Sequence, residues 1–111
     1  MVQYLILVKI TDHALFEQYI QGSQPTIAKF GGRVAFHSTA NASTFGDDNS
    51  WDVVAIQEWP GTDAFDRRWN SEEYKPWAEI RDAAAEVTII QCQNNIFPQS
   101  DHKGVPHEPR S

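Results

Sequence analysis

Within the first 94 residues, the spacing of apolar residues predicts six segments of regular structure in the order β-α-β-β-α-β. The strands are predicted at residues 2–10, 33–38, 51–59 and 87–94, and the helical segments begin at His13 and Thr62. This is the order of the split βαβ unit, in which helices cover one face of a four-stranded antiparallel sheet. We therefore expect an α+β domain of the ferredoxin-like type.

Capping and turn residues mark where the helices begin and end. Asp12 is a suitable N-cap for the first helix, and the pair Gly31-Gly32 is a C-terminal stop signal. Pro25 is predicted to kink or divide this helix. Thr62 is predicted to cap a short second helix, and Ser71 to cap a renewed helix with Pro76 at its first position.

Length and composition favour one domain with a single core. The chain has 111 residues, of which 41% are hydrophobic, and its formal net charge is −6. Because an excess of acidic groups repels phosphate, we expect neither nucleic acid nor an anionic membrane as a partner. We predict a domain over residues 1–95 and a Pro-rich tail over residues 96–111, where His102 and His107 suggest no more than stray metal binding.

The cysteine count and the N-terminal segment indicate in which cellular compartment the protein is expected. Cys92 is the only cysteine, so neither an intramolecular disulfide nor a multi-cysteine metal site is available. Residues 2–10 form an apolar run that is too short to span a membrane and lacks the flanks of a signal peptide. We therefore expect a cytoplasmic protein without a metal site.

The first strand is apolar on both sides, and this predicts a partner. Leu5 and Leu7 alternate with Ile6 and Val8, whereas the helices can cover only one face of the sheet. A second copy related by a two-fold axis is the commonest way to cover such a face. We therefore expect a homodimer.

Four sequence runs resemble the domain-of-unknown-function family 1330. They are Pro-Thr-Ile-Ala-Lys-Phe-Gly-Gly-Arg at 25–33, Glu-Trp-Pro at 58–60, Trp-Asn-Ser-Glu-Glu-Tyr at 69–74 and Arg-Asp-Ala-Ala-Ala at 81–85. The resemblance implies a dimeric α+β barrel with a pocket between the sheet and the helices of each subunit. Relatives in that superfamily include cofactor-free monooxygenases, polyketide cyclases, lactone isomerases and haem-binding enzymes. The long loop at residues 39–50 and the extended tail depart from the family pattern.

Three segments hold candidates for acid/base chemistry and ligand contact. His37 lies on the second strand and is a candidate general base if its ring faces the helices, or a solvated edge residue if it does not. Tyr74 and Trp69 flank the turn at Asn70 and Ser71, where backbone N–H groups could hold an anion and the Tyr74 hydroxyl could donate a proton. In the alternative reading, Ser71 only caps a helix while the rings fill core.

A charged pair and further aromatic residues complete the candidates. Arg81 lies one helical turn after Trp77 and is predicted to stack on that indole or to pair with Glu58. Without a cation, Glu58 would be a candidate acid. Tyr19 is expected to join Trp69 and Trp77 in the apolar walls of the pocket.

Two functions fit these residues. The first is an enzyme without a cofactor that acts on an aromatic or polyketide-like carbonyl compound by cyclisation, isomerisation or elimination. The second is a non-catalytic module that binds a small ligand or supports assembly. A cofactor-free monooxygenase and haem ligation by His37 or His13 are further alternatives. An unpaired His37 or Glu58 facing the cavity would favour the enzyme, and an entirely apolar cavity would favour the module.

Overall fold

The structure is a computed structural model and describes residues 1–46 and 50–92. Residues 47–49 of the long loop, the last two residues of the predicted fourth strand and the predicted tail at 96–111 lie outside the described residues. So do His102 and His107. None of the helices within the described ranges is long and apolar enough to cross a membrane.

Four strands form one antiparallel sheet in the spatial order β2-β3-β1-β4. They are β1 (Val2–Ile10), β2 (Arg33–Ser38), β3 (Val53–Trp59) and β4 (Ala85–Cys92). The predicted α+β fold class and antiparallel sheet are therefore confirmed, and β1 and β2 have the predicted bounds. The third strand starts two residues later than predicted, and the fourth starts two residues earlier, directly after the preceding helix.

Three helices connect the strands: α1 (His13–Lys29), α2 (Thr62–Trp69) and α3 (Lys75–Ala84). The Asp12 carboxylate caps α1 by accepting a hydrogen bond from the backbone N–H of Leu15, at 3.0 Å. Pro25 does not divide this helix, so that alternative is wrong. It lies at an exposed position, where water can hydrogen-bond the carbonyl that loses its helical partner.

The C-terminus of α1 is a Schellman motif. The backbone N–H of Gly31 donates to the carbonyl of Ala28 at 3.0 Å, and that of Gly32 donates to the carbonyl of Ile27 at 2.9 Å. Gly31 has φ +98°, a left-handed conformation that a residue without Cβ adopts at little cost. The predicted stop signal is therefore confirmed.

The caps of α2 and α3 differ from the prediction. The N-cap of α2 is Gly61, so Thr62 is the first helical residue rather than the cap. The N-cap of α3 is Tyr74. Ser71 instead closes the turn between the two helices, because its hydroxyl accepts from the Tyr74 N–H at 3.1 Å and donates to the Arg68 carbonyl at 2.8 Å.

A β-bulge in β2 decides which way two side chains point. The pairing with β3 shifts between Val34 and Phe36, so Val34 lies across from Gln57, Phe36 across from Ile56 and His37 across from Ala55. Gln57 and Ala55 face the helices, whereas Ile56 faces away from them. The bulge therefore directs Phe36 away from the helices and His37 toward them.

Buried side chains form two clusters on the helix side of the sheet. The first contains Tyr4, Ile27, Trp59, Ala64 and Phe65, and the second contains Val8, Phe16, Ala84 and Ala85. In the first cluster the Phe65 ring stacks on Tyr4 at 4.0 Å between centroids and meets Trp59 edge-on at 5.7 Å. Residues of both clusters also line the cavity described below.

No helix within residues 1–46 and 50–92 covers the opposite face of the sheet. Register pairing brings six apolar residues together on it, and we call them the open face: Leu5, Leu7, Phe36, Val54, Ile56 and Ile90. Phe36 is 51% exposed and Ile90 is 44% exposed. The helices do not reach this face, and an exposed apolar patch of this kind is typical of an interaction site.

Candidate functional site

A cavity of about 440 Å³ lies between the sheet and the helices. Its floor is aliphatic and is formed by side chains from three strands: Ile6, Val8, Val53, Ala55, Val87 and Ile89. Its walls carry aromatic and polar side chains, among them Phe16, Tyr19, Phe65, Arg68, Trp69, Tyr74 and Arg81. The volume and the mixture of apolar surface with a few polar groups are typical of small-molecule sites.

A chain of hydrogen bonds joins two phenols and a guanidinium in the wall. The hydroxyl oxygens of Tyr19 and Tyr74 are 2.6 Å apart, and the Arg81 Nη1 donates to the Tyr74 oxygen at 2.9 Å. Burial, followed by the neighbouring Tyr74, raises the pKa of Tyr19. Tyr19 therefore stays protonated at neutral pH, and the two phenols can pass on the polarisation that Arg81 supplies.

Arg81 does not have the partners predicted for it. Its guanidinium carbon lies 4.4 Å from the ring centroid of Trp69, and its Nε and Nη2 each lie 3.0 Å from the Asp82 carboxylate. The predicted stacking on Trp77 and pairing with Glu58 are therefore wrong. The chain turns between α2 and α3, and this places Trp69 of α2, rather than Trp77 of α3, against the Arg81 guanidinium.

Trp77 lies outside the cavity lining. Its indole packs on Gly22 of α1 so closely that a Cβ at that position would fall 2.1 Å from Cη2. This contact holds α1 against α3. The prediction that Trp77 forms a pocket wall is therefore replaced by a role in helix packing.

Asn70 and Ser71 also lie outside the cavity lining and serve the chain turn. The Asn70 amide donates to the Asp66 carbonyl at 2.9 Å, which closes the end of α2. The Tyr74 N–H, one of the candidate donors to an anion, already donates to the Ser71 hydroxyl. This geometry matches the structural reading of the turn.

His37 lines the cavity, which answers the question that the sequence left open. Its side chain is exposed and makes no hydrogen bond or ion pair with another residue in the ranges 1–46 and 50–92. An imidazole that is free and accessible can accept a proton from a bound compound. Its position depends on the bulge in β2.

Glu58 lies on the other side of the sheet from the cavity. It forms an ion pair with Arg33 at 2.6 Å and accepts a hydrogen bond from the Gln3 amide at 2.8 Å. The hydrogen bond from Gln3 and the charge of Arg33 lower the pKa of Glu58, although its desolvation opposes them. The structure thus provides the cation whose absence would have made Glu58 a candidate acid.

Arg68 is a cavity residue that sequence reasoning missed. It is 3% exposed and lies on the buried side of α2 together with Ala64 and Phe65. The signal was present, because Arg68 follows Ala64 by four residues and Phe65 by three and so shares their apolar face. No group of three or more His, Cys, Asp or Glu side chains suited to a metal occurs within the described part of the chain.

Tyr74→Phe should destabilise the protein by about 1–3 kcal/mol, because it leaves both Arg81 Nη1 and the Tyr19 hydroxyl without their shared partner. Tyr4→Phe is the matched control. Tyr4 is also buried, but its hydroxyl has no hydrogen-bond partner in the described ranges, so its loss should cost less than about 1 kcal/mol. Urea unfolding of both variants measures the difference, and equal losses would contradict the hydrogen-bond chain.

The four-stranded antiparallel sheet, the helices on one of its faces and the cavity between them define a ferredoxin-like α+β protein. The chain belongs to the family described as "Domain of unknown function (DUF1330)", whose model matches residues 3–94. The resemblance found in the sequence is therefore confirmed. A comparison with curated proteins gave no match.

Solved structures show the same fold. A protein of unknown function from Rhodopseudomonas palustris is 23% identical with a TM-score of 0.77, covering 87% of this chain and 83% of its own. SnoaB, a cofactor-independent oxygenase from Streptomyces nogalater, is 19% identical with a TM-score of 0.60, covering 88% and 96%. HapK from Hahella chejuensis is 17% identical with a TM-score of 0.56, also covering 88% and 96%.

Proposed function

We propose that this protein is an enzyme without a cofactor that moves a proton on an aromatic or polyketide-like carbonyl compound. The observation that carries the proposal is His37, which lines the cavity and has no hydrogen-bond or ion-pair partner within the described ranges. Since the other polar groups around Tyr74 are already hydrogen-bonded to one another, a structural role would not require a free imidazole at this position. The similarity to SnoaB supports the idea that this fold can support chemistry without a cofactor.

In the proposed reaction, His37 removes a proton from the carbon next to the carbonyl group. The electron pair moves onto the carbonyl oxygen. Tyr74 accepts a hydrogen bond from Arg81 and donates one to Tyr19, and the Tyr19 hydroxyl donates the hydrogen bond that stabilises the enolate. Return of the proton from His37 to another carbon gives isomerisation. Attack of the enolate carbon on a second carbonyl, whose oxygen then takes the proton from His37, gives cyclisation. Loss of a neighbouring leaving group, which takes the proton from His37, gives elimination.

The aromatic side chains in the cavity walls favour a ligand with an aromatic ring system. The Phe65 and Trp69 rings are stacked at 5.6 Å between centroids, with 17° between their planes, and the Phe16 and Tyr19 rings pack at 5.7 Å. Both pairs contribute to the lining, above an aliphatic floor. A flat ring system bound between these walls would bury apolar surface on both faces.

His37→Asn should slow exchange of the α-protons of 2-tetralone in D2O by about 100-fold, which is the usual contribution of a positioned general base. This aromatic ketone serves as the probe, and proton NMR follows the loss of its signals. His13→Asn is the matched control, since His13 is exposed at the start of α1 and is absent from the cavity lining. Equal rates in the two variants would exclude His37 as the base. Wild-type exchange no faster than in buffer, with no oxygen consumption, would favour the non-catalytic binding module.

We also propose that the open face is covered by a second copy of the chain. The face is apolar across its centre, and strands β3, β1 and β4 all contribute to it. A two-fold copy would place the same six side chains against each other, leaving each cavity on the outer, helix-covered side of its own sheet. The cavity is then complete within one subunit, and dimerisation stabilises the sheet that forms its floor.

A further inference from the structure

A buried positive charge in the cavity wall has no negative partner within the described ranges. Arg68 is 3% exposed, and no carboxylate in residues 1–46 or 50–92 lies within ion-pair distance of it. Its Nε donates to the Thr26 hydroxyl at 2.7 Å, and its Nη2 donates to the Ser23 carbonyl at 3.4 Å. Nη1 makes no hydrogen bond with a described residue. A buried guanidinium is stable only when its charge and its donors are compensated.

The groups that Arg68 contacts do not require it. The Thr26 hydroxyl already donates to the Ser23 carbonyl at 2.6 Å, so each partner of Arg68 remains hydrogen-bonded without the arginine. The Tyr74 ring, 4.2 Å from the guanidinium carbon, makes a cation–π contact, but a neutral ring compensates only part of a buried charge. Structural needs therefore do not explain a charged residue at this buried position.

The other charged side chain in the described cavity lining is also positive. Arg81 is a second guanidinium in the wall, and it faces the Tyr74 ring at 5.7 Å. Its only ion-pair partner among the described residues is Asp82, whose side chain is 72% exposed and whose charge is therefore largely screened. Among residues 1–46 and 50–92, no Asp or Glu lines the cavity, although the chain as a whole carries a net charge of −6.

We infer that the cavity binds an organic acid, whose carboxylate meets the Arg68 guanidinium while its apolar body lies along the aliphatic floor. The planar fork of donors on Arg68 suits the two oxygens of a carboxylate, and the charge-assisted hydrogen bonds would be strong in this buried wall. The inference rests on the proposed function, because it names the substrate class of the same cavity. A keto acid with an aromatic ring would combine the anion with the carbonyl that His37 acts on.

Two probes that differ only in charge test the inference. Isothermal titration calorimetry compares 2-naphthoate with 2-naphthamide, which share the ring system. The wild-type protein should bind the acid about tenfold or more tightly than the amide. Arg68→Met should reduce this preference to less than about threefold, whereas Arg67→Met, the exposed neighbour on α2, should leave it unchanged. Arg68→Lys, which keeps the charge without the fork, should retain an intermediate preference.

Each result bears on the inference separately from the proton-transfer proposal. Equal affinities for acid and amide in the wild type would overturn the inference and leave the exchange of 2-tetralone untouched. A preference that survives in Arg68→Met would overturn the assignment to Arg68, provided that circular dichroism shows the variant folded. No saturable binding of either probe at millimolar concentration would overturn both the inference and the aromatic cavity. Selective binding of the acid without 2-tetralone exchange would support the inference and count against the enzyme.

Discussion

Gly32→Ala should lower the free energy of unfolding by about 3 kcal/mol, a large fraction of the ~5–15 kcal/mol that stabilises a typical domain. A Cβ at this position would lie 2.5 Å from Cε2 and 2.6 Å from Cδ2 of Trp59. Trp59 cannot move aside, because it is 1% exposed, its indole N–H donates to Gln57 at 3.0 Å, and it packs edge-on against Phe65. The clash must therefore shift the backbone between α1 and β2 or open the core.

Gly61→Ala is the control for this substitution. No heavy atom lies within 4 Å of a Cβ built at Gly61, and its φ of −171° is extended backbone that any residue adopts. Because it is the N-cap of α2, its replacement should cost no more than about 1 kcal/mol. Urea unfolding at one protein concentration, followed by tryptophan fluorescence, compares the two variants. Similar midpoints would show that Trp59 can accommodate the methyl group.

The two adjacent glycines illustrate how far sequence reasoning reaches. Gly31 is required by local backbone geometry, because it has a φ of +98° in a Schellman motif. The Gly-Gly pair is a helix stop signal, so the sequence predicts this requirement without knowledge of the fold. Gly32, which lies between α1 and β2, is required because the Trp59 ring of β3 packs directly against it and leaves no room for a Cβ. Segment type and order depend mainly on local patterns, so the fold could be predicted, whereas close contacts depend on the assembled sheet.

The direction of His37 could not be read from alternation for a similar reason. Strict alternation from Val34 would put Phe36 on the helix side and His37 on the open face. The bulge between Val34 and Phe36 reverses both, which brings the candidate base to the cavity and adds Phe36 to the open face. No Gly or Pro marks the bulge in the sequence, so its position appears only in the pairing of β2 with β3.

The contacts of Arg81 and Arg68 could not be predicted from residue spacing along one helix. A helical turn separates Trp77 from Arg81, but the chain reverses between α2 and α3 and presents Trp69 and Tyr74 to that guanidinium instead. Arg68 escaped notice because a charged residue in the last turn of a short helix is normally solvated and favourable there. Its burial depends on contacts with α1, where the Thr26 hydroxyl accepts a hydrogen bond from its Nε.

Leu5→Lys should convert the protein from a dimer to a monomer at micromolar concentration. Leu5 is at the centre of the open face, paired with Ile56 on one side and Ile90 on the other. Burying ~400 Å² of apolar surface on each subunit, and so ~800 Å² in the dimer, contributes on the order of 20 kcal/mol, against an association cost of about 4–15 kcal/mol. A two-fold axis would place two ammonium groups in this interface, each without a partner, and their desolvation removes most of that margin.

Sedimentation velocity gives the readout for this substitution. The wild-type protein should sediment with twice the chain mass of 12.6 kDa, and Leu5→Lys with that mass alone. Gln18→Lys adds the same charge on the exposed surface of α1 and should remain dimeric. Circular dichroism separates dissociation from unfolding, since a long lysine on an uncovered sheet face can extend its ammonium into water while its stem covers the neighbouring apolar side chains. A wild-type protein that sediments as a stable monomer would rule out the second copy and leave the open face to another partner.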